Sequence, residues 1–432
     1  MENEIYLDWD TLKASRGSII PAWLENIFDA RTGLINTISH RHELDRFGLT
    51  MYQTRVCDFS TLYGRRWPSC EGGLGIDFSP ERAMQACVSE SIERYCLGYT
   101  NPEKIQLISP DSIDQATKEQ LHKAGYGSSQ TNTQHTFLDP FAEDAYSISL
   151  TPVLAEGPIY WPASQVFIPF TLQKSVGEIT STGVAAHTDK SRAIISGALE
   201  IIERDAIMIN FYKALPHYEV SVDTVLGSSN DGLLKNLLGK IRDEYSVRIF
   251  KQHTDIDVPV YLTYIWTGDI PNAHFGIGAC AGLTSSHAIR KALCESLFTY
   301  FYSKFLMDQR TRNKEEINSL QRHFLYYQNS SDLAELTRVD ATIPWVEETV
   351  TPEHLFEQIK RAGYSIYSFD LTAPDVRHVT PITVTRTVIP GFIDLCVEQR
   401  HLRSQLKRFT DLPFKLGLGG CTGLRDAPHP FP

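Results

Sequence analysis

One stretch limits what this chain can become: residues 183–206, which end in ALEIIERDA. Glu200 and Glu203 stand three apart, a spacing that places both carboxylates on one face of a helix, about one turn apart. Their neighbours are almost all apolar: Ile194, Ile195, Ala198, Leu199, Ile201, Ile202, Ala206, Ile207, Met208 and Ile209. A helix apolar on nearly every side is expected to be buried. Two acids in such a place are costly unless they are paired or hold a cation.

The bulk of the sequence narrows the choices. Apolar residues make up 42% of 432, enough for a large core, and a net charge of −11 argues against nucleic-acid binding. Eight cysteines show no CxxC pair and no regular spacing, so reduced, mostly buried thiols in the cytoplasm are expected and zinc is not. The opening MENEIYLDWD is acidic and has no apolar run, so no signal peptide is expected. No stretch approaches the roughly 18 apolar residues of a membrane span.

Read in order, residues 1–64 form a lead-in with a partly apolar SIIPAWLENIFDA and a polar HRHELDR to which no role is assigned. The remainder, 65–432, carries a regular pattern of helices and strands. Helices are predicted at Pro80–Tyr99, Ser112–Lys123, Lys190–Ala214, Gly232–Asp243, Ser286–Leu306, Pro352–Gly363 and Glu398–Arg408. Strands are predicted at Tyr146–Leu154, Ser164–Phe170, Tyr218–Val222, Val247–Gln252, Val258–Trp266, His274–Ala279, Ser365–Asp370 and Ile382–Ile389. Strands and helices mixed without strict alternation point to an α/β or α+β fold.

An internal repeat runs through this pattern. With Glu90 set on Glu200, Gly73 falls on Gly183, Arg82 on Arg192, Ala83 on Ala193, Glu93 on Glu203 and Arg94 on Arg204. A weaker third copy aligns Gly278, Ala288 and Glu295, but Phe298 and Thr299 replace the second Glu and the Arg. The unit reads as a glycine turn followed by a helix bearing glutamate. One ExxER alone is usually a solvated face; two at matched offsets in apolar helices point to a shared site. Four converging carboxylates could serve acid–base chemistry of the glycosidase kind, but that needs two acids and an open groove. Magnesium takes oxygen ligands and commonly keeps phosphate oxygens, so the set suits two or more magnesium ions against a triphosphate. Arg94 and Arg204 would then offset phosphate charge, and glycine turns would let backbone approach it closely. The chain carries neither GxxxxGK[ST] nor the kinase motifs.

The chain resembles the YcaO family. The segments CVSESIERY around Glu90 and Glu93, STGVAAHTD leading into SGALEIIERDA, VTRTVIPG at Val384–Gly391 and the proline-alternating end PHPFP carry the resemblance. The end marks azoline-forming cyclodehydratases within the family, and Lys291–Phe324 is similar to the discrete cyclodehydratases of microcin-type thiazole/oxazole pathways. The resemblance implies a YcaO-type fold around a central ATP and Mg2+ site. It implies a reaction in which the γ-phosphoryl group of ATP activates a backbone amide oxygen of a ribosomal precursor peptide. A Cys, Ser or Thr side chain closes onto the preceding carbonyl, giving thiazoline or oxazoline. It further implies a ThiF-like leader-binding partner, a flavin-dependent azoline dehydrogenase and a dimer within a hetero-oligomeric synthetase.

Carried over by position, Glu90, Glu93, Glu200 and Glu203 are the implied magnesium ligands. Ser196, Arg94, Arg204, Gly183 and Glu295 are the implied nucleotide contacts. Pro428, Pro430 and Pro432 stiffen the tail into an extended rod that presents the Pro432 carboxylate to the site. His187 and Asp189 stand ahead of the second helix, Asp189 as a cap. The chain departs from the family pattern at Leu74, where many members have Lys, and at Ala86, where Ser is frequent. Two other readings stand beside the cyclodehydratase: a YcaO enzyme forming thioamide or amidine, and a non-catalytic YcaO scaffold.

Overall fold

The computed structural model describes residues 4–7, 21–57, 71–126, 140–312, 319–397, 402, 406–418 and 423–431. The chain opens with β1 (Glu4–Leu7), β2 (Ile35–Arg41), β3 (Thr50–Val56) and β4 (Glu71–Asp77), joined in that order as one antiparallel sheet. Strands ahead of residue 65 therefore share a sheet with β4. Helix α1 (Pro80–Gly98) follows, with Ser79 accepting from the Arg82 amide as its cap. Its Ala83, Met84, Cys87, Val88 and Ile92 are buried with Ile38 and Tyr52 of the sheet.

The next part supplies β5 (Gln106–Ile108), α2 (Gln115–Lys123), β6 (Ala145–Leu154), β7 (Ile159–Pro162) and β8 (Val184–His187). Helix α3 (Lys190–Tyr212) comes next, capped by Asp189, whose Oδ1 accepts from the amides of Ser191 and Arg192. A five-stranded sheet then assembles from β9 (Tyr218–Val220), β10 (Ser246–Lys251), β11 (Val260–Thr267), β12 (His274–Ala281) and β13 (Ala341–Ile343), with β12 at one edge and β13 at the other. Helix α4 (Val222–Ser228) and helix α5 (Gly232–Glu244) precede β10. The long α6 (Ser285–Arg312), with α7 (Ser319–Tyr326) and α8 (Leu333–Leu336), precedes β13. Last come α9 (Pro352–Arg361), β14 (Ile366–Asp370), α10 (Pro374–Val379), β15 (Thr383–Val388) and α11 (Arg408–Lys415). The third sheet runs β5-β6-β14-β15-β8, with β7 paired to β6.

Helix α3 is central. Ile201, Ile202 and Ala206 pack with Val260, Ile366 and Ile389, while Ile207, Met208, Phe211 and Tyr212 join a second core with Phe275 and Phe409. Its apolar girdle therefore serves two cores at once, as expected for a helix hydrophobic on all sides.

The mixed fold and the repeat agree with the sequence reading, and two expectations are corrected. Residues 164–170 are not a strand: Ala163–Gln165 is a 3-10 turn, and Val166 and Phe167 are buried plugs. A short apolar run cannot by itself distinguish pairing from plugging, and Pro169 has no N–H to give a ladder. Gly73 and Gly278 lie inside strands, not in turns. A Cβ on Gly73 would stand 1.9 Å from the carbonyl oxygen of Cys87, and one on Gly278 2.1 Å from that of Ala292. These glycines let strand and helix touch; they do not open a loop. Of the three repeat glycines, Gly183 adopts the left-handed region, at φ +83°. Finally, α4 and α10 were not foreseen, and the helix expected at Glu398–Arg408 falls mostly on residues outside those described, with α11 beginning at Arg408.

Candidate active site

Each repeat places its glutamate by the same device. Glu90 accepts from the amide of Leu74 at 2.8 Å, Glu200 from Gly183 at 2.9 Å and Glu295 from Ala279 at 2.8 Å. The opposing strand matches as well: Thr54, Thr387 and Thr263 face the three glycines, Thr54 and Thr263 donating to the carbonyls of Gly73 and Gly278 while the Thr387 amide donates to Gly183. Arg94 donates to Glu90 at 2.9 Å, and Arg204 to Glu200 at 2.9 Å, both as i,i+4 pairs. Glu203 accepts from the amide of Ala281 at 2.9 Å, which ties α3 to β12.

These side chains share one electrostatic environment. Burial drives Glu93 well above the usual carboxylate range, and the charges of Glu90 and Glu200 push it further. Burial raises Glu203 to about 8, with Glu295 as the next cause. Burial also raises Glu295. Burial opposes the charge on Arg204, but Glu200, Glu203 and Glu295 outweigh it and hold the guanidinium above its ordinary value. Arg386 of β15 is buried and held down by that burial, against the pull of Asp394, Glu200 and Glu93. The five glutamates, Arg204 and Arg386 thus gather on one region, although they come from α1, α3, α6 and β15. Beside it opens a cleft of about 500 Å³ lined by Arg386, Thr387, Ile201, Glu178, Asp394 and Trp161.

Glu90 and Glu200 are partly accessible, at 31% and 27% of their side chains, so the cluster faces a space and is not sealed in the core. No three of these glutamates bring an oxygen each within 4.8 Å of one another. The donor set is all carboxylate oxygen, as hard cations require. Three acids forced up by burial and like charge, and a buried Arg204 Nε with no hydrogen-bond partner, are what a bound cation with its phosphate oxygens would relieve. Mg2+ and a nucleotide fit these residues.

Ser196 lies exposed on α3, four residues before Glu200. The equivalent positions are Ala86 and Lys291, and Lys291 pulls on Glu295. Asp189 caps α3, and His187 accepts from the Asp189 amide at 2.9 Å. Pro432 lies outside the described residues, but the tail before it is well placed. Tyr327 donates to the Pro428 carbonyl at 2.7 Å, Pro430 is buried, and His429 is fully buried with its Nε2 2.6 Å from the Cys396 carbonyl. Burial pushes the His429 imidazole down to about 3, opposed by that carbonyl, and the charge of Arg204 reaches it. Pro430 and Phe431 line a second cavity of about 420 Å³ with Ile207 and Phe211 of α3. Sequence reasoning missed Arg386, although VTRTVIPG contains it, and the fully buried Asp205, which accepts from Arg408 at 2.6 Å.

A mixed α/β protein with three glutamate-bearing strand–helix units around a hard-cation and nucleotide site is the class these features define. The family model described as YcaO cyclodehydratase, ATP- and Mg2+-binding, matches residues 74–393, and the chain belongs to that family. No curated protein matches the chain by sequence. Among solved structures it is similar to a heterocyclase in complex with substrate and cofactor, at 16% identity and TM-score 0.69, over 93% of this chain and 55% of that one. It is also similar to the E. coli microcin synthetase McbBCD complex, at 14% identity and TM-score 0.65, over 88% of this chain and 97% of that one. A third likeness is to YcaO from Methanopyrus kandleri bound with AMPPCP and Mg2+, at 15% identity and TM-score 0.56, over 85% and 88%. The chain thus spans about half the length of the first of these. No helix among the described residues is long and apolar enough to cross a membrane.

Proposed function

We propose that this chain is an ATP- and Mg2+-dependent cyclodehydratase acting on a ribosomal precursor peptide. The observation that carries the reading is the tail: residues 428–431 are anchored beside α3, with His429 close enough to feel Arg204 of the glutamate site. A proline-stiffened segment held there would bring the tail to the reacting peptide. Glu90, Glu93, Glu200, Glu203 and Glu295 are the residues that would hold Mg2+, which would neutralise triphosphate charge during phosphoryl transfer. Arg94, Arg204 and Ser196 would meet the phosphates, and the Gly183 amide keeps Glu200 aimed.

In the proposed reaction a Cys, Ser or Thr side chain attacks the preceding carbonyl carbon and loses its proton to a base near the tail. The former amide oxygen takes the γ-phosphoryl group, ADP leaves, and expulsion of phosphate with loss of the amide N–H proton creates the C=N bond of the azoline. The peptide loses one water for each ATP converted to ADP and phosphate. The microcin synthetase to which the chain is similar is a multiprotein complex, which supports work within a hetero-oligomer that includes a leader-binding ThiF-like protein and a flavin-dependent dehydrogenase. Residues 65–432 are proposed as the catalytic unit, with residues 1–64 adding outer strands to its first sheet.

The test is reconstitution with the partner and precursor. Intact mass spectra should show loss of one water per ring together with stoichiometric ADP and phosphate, and removal of Phe431 and Pro432 should nearly abolish ring formation. Exchange of sulfur for oxygen would indicate a thioamide-forming enzyme. Nucleotide binding without peptide-dependent hydrolysis would indicate a scaffold.

A further inference from the structure

The polar run HRHELDR supplies none of the clustered glutamates and takes no part in the function proposed above. Its residues are nonetheless arranged for chemistry. His40 is next to last in β2, and His42 begins the 3-10 helix His42–Phe47. Residues two apart at a strand end share a face, and residues three apart on a 3-10 turn eclipse. The pattern His-x-His-x-x-Asp therefore brings His40, His42 and Asp45 to one side.

The structure bears this out in detail. Each of the three offers a ligating atom, and these atoms all lie within 4.8 Å of one another. His40 Nε2 is 3.3 Å from Asp45 Oδ1, and His42 Nδ1 is 2.6 Å from Asp45 Oδ2. The two imidazole rings have centroids 4.1 Å apart. The Nε2 of His42 is shielded from solvent and has no hydrogen-bond partner, a state that costs free energy if nothing else satisfies it, while the Nε2 of His40 faces Asp45 without hydrogen-bond geometry. Neighbouring cations are held elsewhere: Arg41 by Glu43 at 2.6 Å, and Arg46 by Glu244 at 2.8 Å.

Ligand atoms about 3.3–3.5 Å apart are what a tetrahedral ion with bonds near 2.0–2.1 Å requires. The His40–Asp45 separation already meets this, and small ring rotations would bring in His42. Two imidazoles and one carboxylate suit zinc and its borderline neighbours, whereas Mg2+ and Ca2+ prefer oxygen alone. We propose that His40, His42 and Asp45 form a second metal site, for a zinc-class divalent ion, distinct from the glutamate site. The ion would pin the end of β2 to the 3-10 helix whose Leu44 and Phe47 are buried in one core with Ile76 of β4. It would thereby brace the sheet whose Leu74 amide holds Glu90.

The full chain, stripped with a chelator and dialysed, would be titrated with zinc in the presence of excess Mg2+ to occupy the glutamates. Metal content would be measured by elemental mass spectrometry, and coordination by zinc X-ray absorption. The expected result is one zinc per chain with imidazole scattering. Apparent affinity should fall at least about tenfold in H42A and in D45N and stay unchanged in E200Q/E203Q. Zinc binding no tighter than in H42A would overturn the site and leave an ordinary His–Asp ion pair. Zinc lost with E200Q/E203Q would equally overturn it, and absence of imidazole scattering from the wild-type chain would do so even if the variants fail to fold.

Discussion

Glu203 on α3 accepts a hydrogen bond from the backbone N–H of Ala281 on β12 at 2.9 Å, which fastens the second copy of the repeat to the third. Through this contact the acids of separate units face one space, and the charge of Glu295 becomes the leading electrostatic burden on Glu203 after burial itself.

That burden predicts proton release on metal binding. Glu203 titrates at about 8 without a cation, so at pH 7 its carboxyl is mostly protonated. A carboxylate must lose its proton to ligate a cation. Binding of Mg2+ with a nucleotide should therefore release at least about one proton at pH 7, from Glu203 and from Glu93, which burial also raises, and affinity should rise with pH through about 8. Calorimetry in buffers of different ionisation enthalpy measures this directly. E203Q should reduce the release, and a wild-type value of zero would contradict the reading.

Asp205 and Arg408 make a buried pair, with side chains 0% and 2% exposed and 2.6 Å between them. Arg408 also meets Asp255 at 2.8 Å. Removing one partner of a buried pair leaves an uncompensated charge and costs about 3–5 kcal/mol. R408A should lower unfolding free energy by that amount in urea titration, and an apolar replacement of both residues should recover part of the loss. A change under about 1 kcal/mol in R408A would show that the pair contributes little.

The tail should loosen in acid. His429 is held at about 3 by burial, below the 6.5 of a free imidazole. Between those values the released tail binds a proton and the docked tail does not, so docking is strongest above about 6.5 and weakens as pH falls. The loss is about 1.4 kcal/mol per pH unit, or about 2 kcal/mol and roughly thirtyfold in docking equilibrium at pH 5. Hydrogen exchange at the amide of Arg425, which donates to the Tyr212 carbonyl at 2.8 Å, should lose protection accordingly once chemical exchange rates are corrected. Protection unchanged from pH 7 to 5, or the same fall in H429Q, would contradict the anchor.

Much of the site could be read from the sequence because it rests on local order. Helical periodicity located α1, α3 and α6, and matched offsets from glycine put Glu90, Glu200 and Glu295 in equivalent places, even where the third copy has lost its second acid. What stayed hidden depends on distant chain. Asp205 meets Arg408 across 203 positions, and His429 finds the Cys396 carbonyl across 33; neither separation leaves a local pattern. The glycines were visible but their purpose was not, since a glycine required for strand–helix contact reads the same as one required for a turn. Residues 164–170 show the converse error, in which an apolar run marks burial without pairing.

The glutamates on α1 and α3 are proposed to hold a nucleotide through Mg2+. The most direct test is calorimetric titration of the full chain with a non-hydrolysable ATP analogue, with Mg2+ and then with EDTA, in wild type and E200Q/E203Q. Saturable binding should require Mg2+ and weaken at least about a hundredfold in the double variant. Equal affinity in EDTA, or a double variant that binds as tightly as wild type, would contradict it.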